Sequence, residues 1–324
     1  MSAATVEVLR QVCDQVELDH REAELIRAGE NTIYRLPGGV VARITRAGQT
    51  AAAQKELQVT RWLTSLGAPV VRPWGDLKAP VVVDDRAVTF WCELPPHEQG
   101  TTTDVARLVR ELHSFELPTT LALPELAPFV HLAERIEGTS WLAPADRTWL
   151  HERLSELQAA YAELPAGIPW RLVHGDAWRG NVAATTTGPV LLDFERCAYG
   201  PPEWDLVSTA VSHVTTGWLD ANTWADYCRA YGHDVTTWDG FQVLRDIREL
   251  RMTTMAAQIA ETTPGRPRPV HPPPRLPTGT QRVSPVVRVA TGAVTSQKQL
   301  GSPGLRYASV AVARGRGQID HLCE

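Results

Sequence analysis

The sequence predicts an α+β fold, with an antiparallel sheet in its N-terminal part and a mostly helical remainder. Three observations carry that expectation. Two pairs of short β-rich runs, each joined by turn residues, lie between residues 32 and 96. Beyond Pro95 the apolar residues recur at helical spacing in one segment after another. A third hairpin-like stretch, HGDAWRGNVAATTTGPVLLDFE from His174 to Glu195, places polar residues at fixed intervals within the helical part.

Length and composition set the outer limits. A chain of 324 residues allows about two domains, and 43% hydrophobic with 21% charged residues is ordinary for a water-soluble globular protein. No run approaches the roughly 20 apolar residues that a membrane span needs, so no membrane partner is expected. The start, MSAATVEVLRQVCDQ, has no basic stretch followed by an apolar one, so no secretory signal is expected. The five cysteines (13, 92, 197, 228 and 323) are odd in number and lack metal-ligand spacing, and they read as free thiols of a cytoplasmic protein. The net charge of −5 is unevenly spread. From Thr262 onward nine Lys+Arg face two Asp+Glu, which leaves 23 basic against 35 acidic side chains, a net of −12, on residues 1–261. An acidic body argues against a nucleic-acid partner and suits a cationic ligand. Nothing in the sequence indicates an oligomeric state.

Taken in order, Val6, Leu9, Val12, Val16 and Leu18 predict a helix over 4–28. Thr32–Leu36 and Val40–Ile44 form a hairpin around Pro37-Gly-Gly, entered through Gly29-Glu-Asn31. Strand alternation sets Arg43 on the face opposite Ala42 and Ile44. Residues 50–66 form an amphipathic helix that stops at Gly67. Leu57, Trp62, Leu63 and Leu66 line its apolar side, and Glu56 sits toward its middle. Ala68–Pro73 opens a further strand region, and residues 80–83 and 87–96 form a second hairpin around Asp84-Asp-Arg. Its last strand ends in Trp91-Cys-Glu93-Leu-Pro95, breaks at prolines and leads into helices, which reads as a hinge. Domain limits of 1–95, 96–261 and 262–324 follow.

Past the hinge, Thr102–Phe115 is helical, with Thr103-Asp104 as its cap and His113 as a packed or partly exposed helix residue. Helices follow over 129–138 and 145–163, where Leu150, Leu154, Leu157 and Tyr161 share a stripe. Trp170–Val173 is a short strand feeding His174, and further helices cover 205–215, 220–231 and 240–261. From there the character changes. Eight prolines fall between 264 and 285, and the rest is rich in Gly, Ser and Arg. Residues 262–324 read as a disordered tail, with a reading-frame change, a fused sequence or a basic interaction arm as its origins.

The stretch from 174 to 195 carries the chemistry. Asn181-Val-Ala-Ala and Pro189-Val-Leu-Leu are strand-like, and a hairpin between them brings Asn181 close to Asp193, with Asp176 on the loop leading in. Two carboxylates and an amide oxygen are hard ligands, and Mg2+ shared with substrate phosphates is their natural occupant. His174, Asp176 and Asp193 also fit a metal-dependent hydrolase, and a nucleotide-binding protein without transfer activity is the further alternative.

His-Gly-Asp with an Asn five positions on, followed by Asp193-Phe-Glu, resembles the aminoglycoside phosphotransferase family, the small-molecule branch of the protein-kinase-like superfamily. Gly29-Glu-Asn31 looks like the G-x-N opening of the nucleotide-binding loop in that family. Asp205, in Tyr199-Gly-Pro-Pro-Glu-Trp-Asp205, resembles the residue that braces its catalytic loop. The resemblance covers about 28–260. It implies a two-lobed kinase-like fold and ATP-dependent phosphoryl transfer to a hydroxyl of a small-molecule acceptor. Asp176 would act on the acceptor proton, and Asn181 and Asp193 would hold Mg2+. Arg43, held by Glu56, would grip the phosphates of ATP. Asn31 would lie in the phosphate loop, and Trp91 and Glu93 on the adenine-binding hinge. Arg43 comes one position earlier in its strand than the Lys of the kinase pattern, with Arg46 nearby as an alternative, and Glu195 stands where that pattern has Gly. The acceptor itself is not named: aminoglycosides, other antibiotics, choline-like amines, amino alcohols and sugars all suit a pocket built from 100–165 and 199–260.

Overall fold

The computed structural model describes residues 3–262 and, beyond them, two short strands. Helix α1 spans Ala3–Gln15. The strands β1 Glu24–Ala28, β2 Thr32–Leu36, β3 Val40–Ala47, β4 Val81–Val83 and β5 Arg86–Cys92 form an antiparallel sheet in the order β1-β2-β3-β5-β4. Helix α2, Thr50–Ser65, lies between β3 and β4 in the chain. The N-terminal part is thus a sheet and the remainder is mainly helical, as the pattern of the sequence predicts.

Side-chain alternation explains how this sheet makes both a core and a site. Tyr34, Leu36, Val40, Ala42, Ile44, Val88 and Phe90 face one way and pack with Val8, Leu9, Val12 and Cys13 of α1 in a single buried cluster. The cross-strand partners Ile33, Arg43 and Thr89, and likewise Arg35, Val41 and Trp91, share the other face. Burying each large apolar side chain of the cluster contributes about 1.5–3 kcal/mol. The opposite face is left free to carry charge.

Four local expectations are corrected. The helix expected over 4–28 stops at Gln15, Glu17 takes a φ of 57°, and Glu24–Ala28 is an edge strand paired with β2. All five of its residues are exposed, so no burial pattern marks it in the sequence. Leu66, expected on the apolar side of α2, is 49% exposed, whereas Leu57 and Leu63 are buried. Gly67 does end that helix, with a φ of 76° that favours glycine. The region Ala68–Pro73 is extended but joins the sheets only through isolated bridges, Val70 to Leu191 and Pro73 to Trp91. Pro69 and Pro73 have no N–H to continue a ladder. In helix α3, Thr102–Leu112 (β6 being Glu98–Gln99 before it), the cap is Thr101 and Asp104 is the third helical residue, closing a capping box.

Helices α4 Leu132–Glu137 and α5 Pro144–Ala162 follow, then β7 Arg171–Val173, β8 Val182–Thr185, β9 Gly188–Leu191 and β10 Ala198–Gly200. Strands β6, β8 and β9 make one small sheet, and β7 pairs with β10. Helices α6 Glu203–Val214, α7 Ala221–Tyr231 and α8 Phe241–Thr262 complete the described chain. It divides into two compact units. The first comprises Met1–Leu126, Gly167–Thr209 and Asp220–Val235. The second comprises Ala127–Ala166, Ala210–Leu219 and the chain from Thr236. In the second, α4, α5 and α8 pack together and bury Leu132, Ile136, Leu150, Leu154, Leu157, Leu244 and Ile247. Arg153 and Asp246 pair across α5 and α8 at 2.5 Å. Apart from Thr262 and the strands Pro269–Val270 (β11) and Arg288–Val289 (β12), which pair antiparallel, the expected tail lies outside the described residues. Among the described residues no helix is long and apolar enough to cross a membrane.

Helix α1 offers a direct test of which face is core. Leu9 is 3% exposed and Val6 42%. Leu9→Ala is expected to lower the unfolding free energy by about 3 kcal/mol, and Val6→Ala by less than about 0.5 kcal/mol, as read from urea unfolding monitored by circular dichroism.

Candidate active site

The hairpin β8–β9 pairs Val182 with Leu191 and Thr185 with Gly188. Its open end is closed by the backbone of Leu192. The Leu192 N–H donates to the Asn181 carbonyl at 2.9 Å, and the Leu192 carbonyl accepts from His174 Nε2 at 2.7 Å. One residue thus ties the His174-Gly175-Asp176 loop, Asn181 and Asp193 together. A carbonyl only accepts, so Nε2 carries the imidazole proton, and Nδ1 accepts the Asp176 N–H at 3.3 Å. Asn181 Nδ2 donates to the Asp176 carbonyl at 2.9 Å, which leaves its amide oxygen as the end that suits a cation. Asp176 and Asn181 are 4% and 8% exposed. With both ring nitrogens of His174 engaged by backbone, the hydrolase arrangement loses its histidine ligand.

The loop is braced from below. Asp205 Oδ2 accepts the His174 N–H at 2.7 Å, and Oδ1 accepts the Gly175 N–H at 2.9 Å. His113 Nε2 lies 3.0 Å from Asp205 Oδ2, and His113 Nδ1 lies 2.9 Å from the Tyr231 hydroxyl. Burial works to raise the Asp205 pKa, but the hydrogen bond and charge of His113 and the His174 contacts outweigh it and hold the carboxyl below its ordinary value. His113 is packed, as its helical position predicts, and it is also a hydrogen-bond partner that spacing in sequence does not reveal. Trp204 Nε1 donates to the Gly175 carbonyl at 3.1 Å. Gly175 has a φ of 83°, and a Cβ there would run into the Arg196 carbonyl, so this position requires glycine.

Opposite the hairpin, Arg43 of β3 is 8% exposed and sits among three carboxylates. Its Nη1 bonds both oxygens of Glu56 at 2.8 Å. Its Nη2 reaches Asp193 Oδ1 at 3.1 Å and Glu195 Oε2 at 2.5 Å. Asn31 Nδ2 donates to Glu195 Oε2 at 3.1 Å, and Glu56 Oε1 accepts the Phe194 N–H at 3.1 Å. Burial, with Asp193 and Glu195 adding to it, pushes the Glu56 carboxyl up to about 7 against the pull of Arg43. For Asp193 burial acts in the same sense, but Arg43 prevails and holds the carboxyl low. The same carboxylates raise the Arg43 guanidinium above its ordinary value despite burial.

Three carboxylates surround one guanidinium in this ion-paired set, so its acidic groups outnumber its basic one. A divalent cation with a preference for oxygen would fit beside that excess, and Asp193 and Asn181 carry oxygens that could serve as hard ligands. Among the described residues no group of three His, Cys, Asp or Glu side chains is arranged to hold a metal alone.

The hinge residues stand apart from this cluster in their contacts. Trp91 is 5% exposed, pairs with Val41, and donates its indole N–H to Thr89 Oγ1 at 2.9 Å. The Glu93 N–H donates to the Gly39 carbonyl at 2.8 Å, and its carboxylate accepts from Arg35 Nε at 2.6 Å. The Glu93 carboxylate and N–H therefore serve the sheet. Sequence reading left the role of Glu195 open and gave none to Lys55, whose Nζ donates to the Cys197 carbonyl at 2.7 Å. Adjacency to Glu56 was the one signal that could have found Lys55.

Residues 23–245 match the model of the phosphotransferase enzyme family. Among solved structures, a microcompartment-associated aminopropanol kinase superposes with a TM-score of 0.61 and 16% identity, covering 81% of this chain and 91% of that one. Amicoumacin kinase, solved with AMP-PNP, Ca2+ and amicoumacin, gives 0.60 at 14% identity, covering 79% and 89%. An aminoglycoside phosphotransferase from Streptomyces rimosus gives 0.57 at 18%, covering 77% and 99%. No curated protein matches the chain.

Two substitutions test the brace. Asp205→Asn turns an amide N–H toward backbone donors in a buried site, and it is expected to lower stability by about 3 kcal/mol in chemical denaturation. Gly175→Ala is expected to lower the melting temperature further than Gly217→Ala, because Gly217, also at positive φ (68°), has open space at its Cβ.

Proposed function

The chain belongs to the phosphotransferase enzyme family, and from that premise we propose how its residues carry out the transfer. The protein is a small-molecule phosphotransferase acting on a hydroxyl group, with ATP as donor. The observation that carries our assignment of roles is the tie at Leu192, which gathers Asp176, Asn181 and Asp193 beside the Arg43 cluster.

Asp176 orients the acceptor hydroxyl and receives its proton as the oxygen attacks the γ-phosphorus. One P–O bond forms to the acceptor, the bond to the β-γ bridging oxygen breaks, and ADP leaves with that electron pair. Asn181 and Asp193 would hold Mg2+, which when bound would neutralise charge on the transferring phosphates. Arg43 is oriented by Glu56 through Nη1, so Nη2 is the nitrogen that turns from carboxylate to phosphate oxygen. Asn31 lies on the phosphate-covering loop and contacts Glu195. At the hinge, Pro95 and Pro96 make Leu94 the last residue with an N–H. The Cys92 and Glu93 N–H groups are taken by the Arg72 and Gly39 carbonyls, so the adenine edge would meet the backbone at Leu94, with the Trp91 side chain on the face that carries Arg43.

For the acceptor we favour an amine-bearing alcohol or antibiotic. The net charge of −12 on residues 1–261 supports a cation. The solved relatives named for aminopropanol, amicoumacin and aminoglycosides agree with that class. We place the protein in the cytoplasm, where Cys13, Cys92, Cys197 and Cys228 would stay in the free form they have here.

A coupled ADP-release screen across aminoglycosides, amino alcohols, choline and sugars is expected to show Mg2+-dependent turnover with an amine-bearing acceptor. Asp176→Asn is expected to reduce kcat by at least about 100-fold while nucleotide affinity stays within about threefold, measured by calorimetry with a non-hydrolysable ATP analogue. Near-normal turnover in that variant would remove Asp176 from its assigned role.

A further inference from the structure

Asp193 is a non-glycine residue in the left-handed region, with a φ of 62°. A residue held there persists only where its surroundings fix it from both sides. On its N-terminal side Leu192 is fixed by Asn181 and His174. On its C-terminal side the chain makes a single 3-10 turn, Phe194–Arg196, closed by the Cys197 N–H donating to the Phe194 carbonyl at 3.1 Å. That turn presents two outward backbone groups to α2. The Phe194 N–H is taken by Glu56 at 3.1 Å, and the Cys197 carbonyl by Lys55 Nζ at 2.7 Å.

Adjacent residues of one helix therefore grip both ends of the turn that follows the metal-binding carboxylate, one by accepting and one by donating. Glu56 is already committed to Arg43, so it cannot follow Phe194 independently of β3. Lys55 is the contact that answers to the turn alone. Its Nζ is part-buried, and the carbonyl it meets belongs to Cys197, itself buried. A charged donor on a carbonyl in such surroundings is stronger than a neutral hydrogen bond.

We propose that Lys55 is a positioning residue for the metal site: by clamping the Cys197 carbonyl to α2, it holds the Phe194–Arg196 turn and keeps Asp193 aimed at the divalent cation. The inference rests on the assignment of Asp193 as a metal ligand under the proposed function. Outer contacts of this kind shift metal affinity by about 10–100-fold when removed. Lys55→Met keeps the length of the side chain but removes the donor, and Lys55→Arg restores a charged donor.

The test is direct binding of Mn2+, followed by electron paramagnetic resonance, to the full-length protein with a non-hydrolysable ATP analogue. Wild type, Lys55→Met and Lys55→Arg are compared, with Asp193→Asn as reference. Lys55→Met is expected to bind Mn2+ about tenfold more weakly than wild type. Lys55→Arg should recover to within about threefold, and the melting temperature of Lys55→Met should stay close to wild type. Unchanged Mn2+ affinity in Lys55→Met would overturn the proposal. So would a loss that Arg does not rescue, or a collapse of the folded state, either of which makes Lys55 merely structural. If wild type and Asp193→Asn bind Mn2+ alike, the assignment of Asp193 fails instead, which separates the two failures.

Discussion

A buried guanidinium must be compensated, and the site depends on how that is done. Arg43 lies on the strand face turned away from the apolar core, where Glu56, Asp193 and Glu195 converge on it from a helix and from the segment after β9. Taking these groups out of water costs several kcal/mol per ion, and only close, multiply hydrogen-bonded geometry repays it. The cluster therefore fixes the places of β3, α2 and the 193–197 turn together. It also overshoots: three carboxylates surround one cation.

The second constraint is backbone satisfaction around the catalytic loop. His174, Gly175 and Leu192 each place backbone groups in the interior, where an unmade hydrogen bond is expensive. Asp205 takes two N–H groups, His174 takes the Leu192 carbonyl, and Asn181 takes the Leu192 N–H. His174 is thereby a structural tie with both ring nitrogens engaged by backbone. Asp176 is bound to the same loop through its N–H and carbonyl.

Much of this is legible in residue order because the relevant signals are local. Asp176 and Asn181 precede one short hairpin and the Asp193-Phe194-Glu195 triplet follows it, so sequence distance and spatial distance agree. Period-two alternation placed Arg43 away from Ala42 and Ile44, and the register of β3 keeps that assignment. Where local signals are weak the reading slips. Glu24–Ala28 is a fully exposed edge strand without a burial pattern, so only its pairing with β2 defines it. The cap of α3 moved to Thr101 because Thr101, Thr102 and Thr103 are chemically equivalent and only the reciprocal bond with Asp104 selects one.

Residue order alone therefore determined the α+β character, the hairpin that follows the His174-Gly175-Asp176 loop and the strand face on which Arg43 lies. Each follows from neighbours within a few residues or from a fixed periodicity. Tertiary structure decided what depends on groups far apart in the chain. It brought Asn31 to Glu195 across 164 positions and Lys55 to Cys197 across 142. It also brought His113 to Asp205 across 92 positions, and it drew the Glu93 carboxylate and N–H into the sheet. Such pairings are set by the requirement that buried charges and backbone groups find partners, and that requirement acts only once the chain has closed on itself.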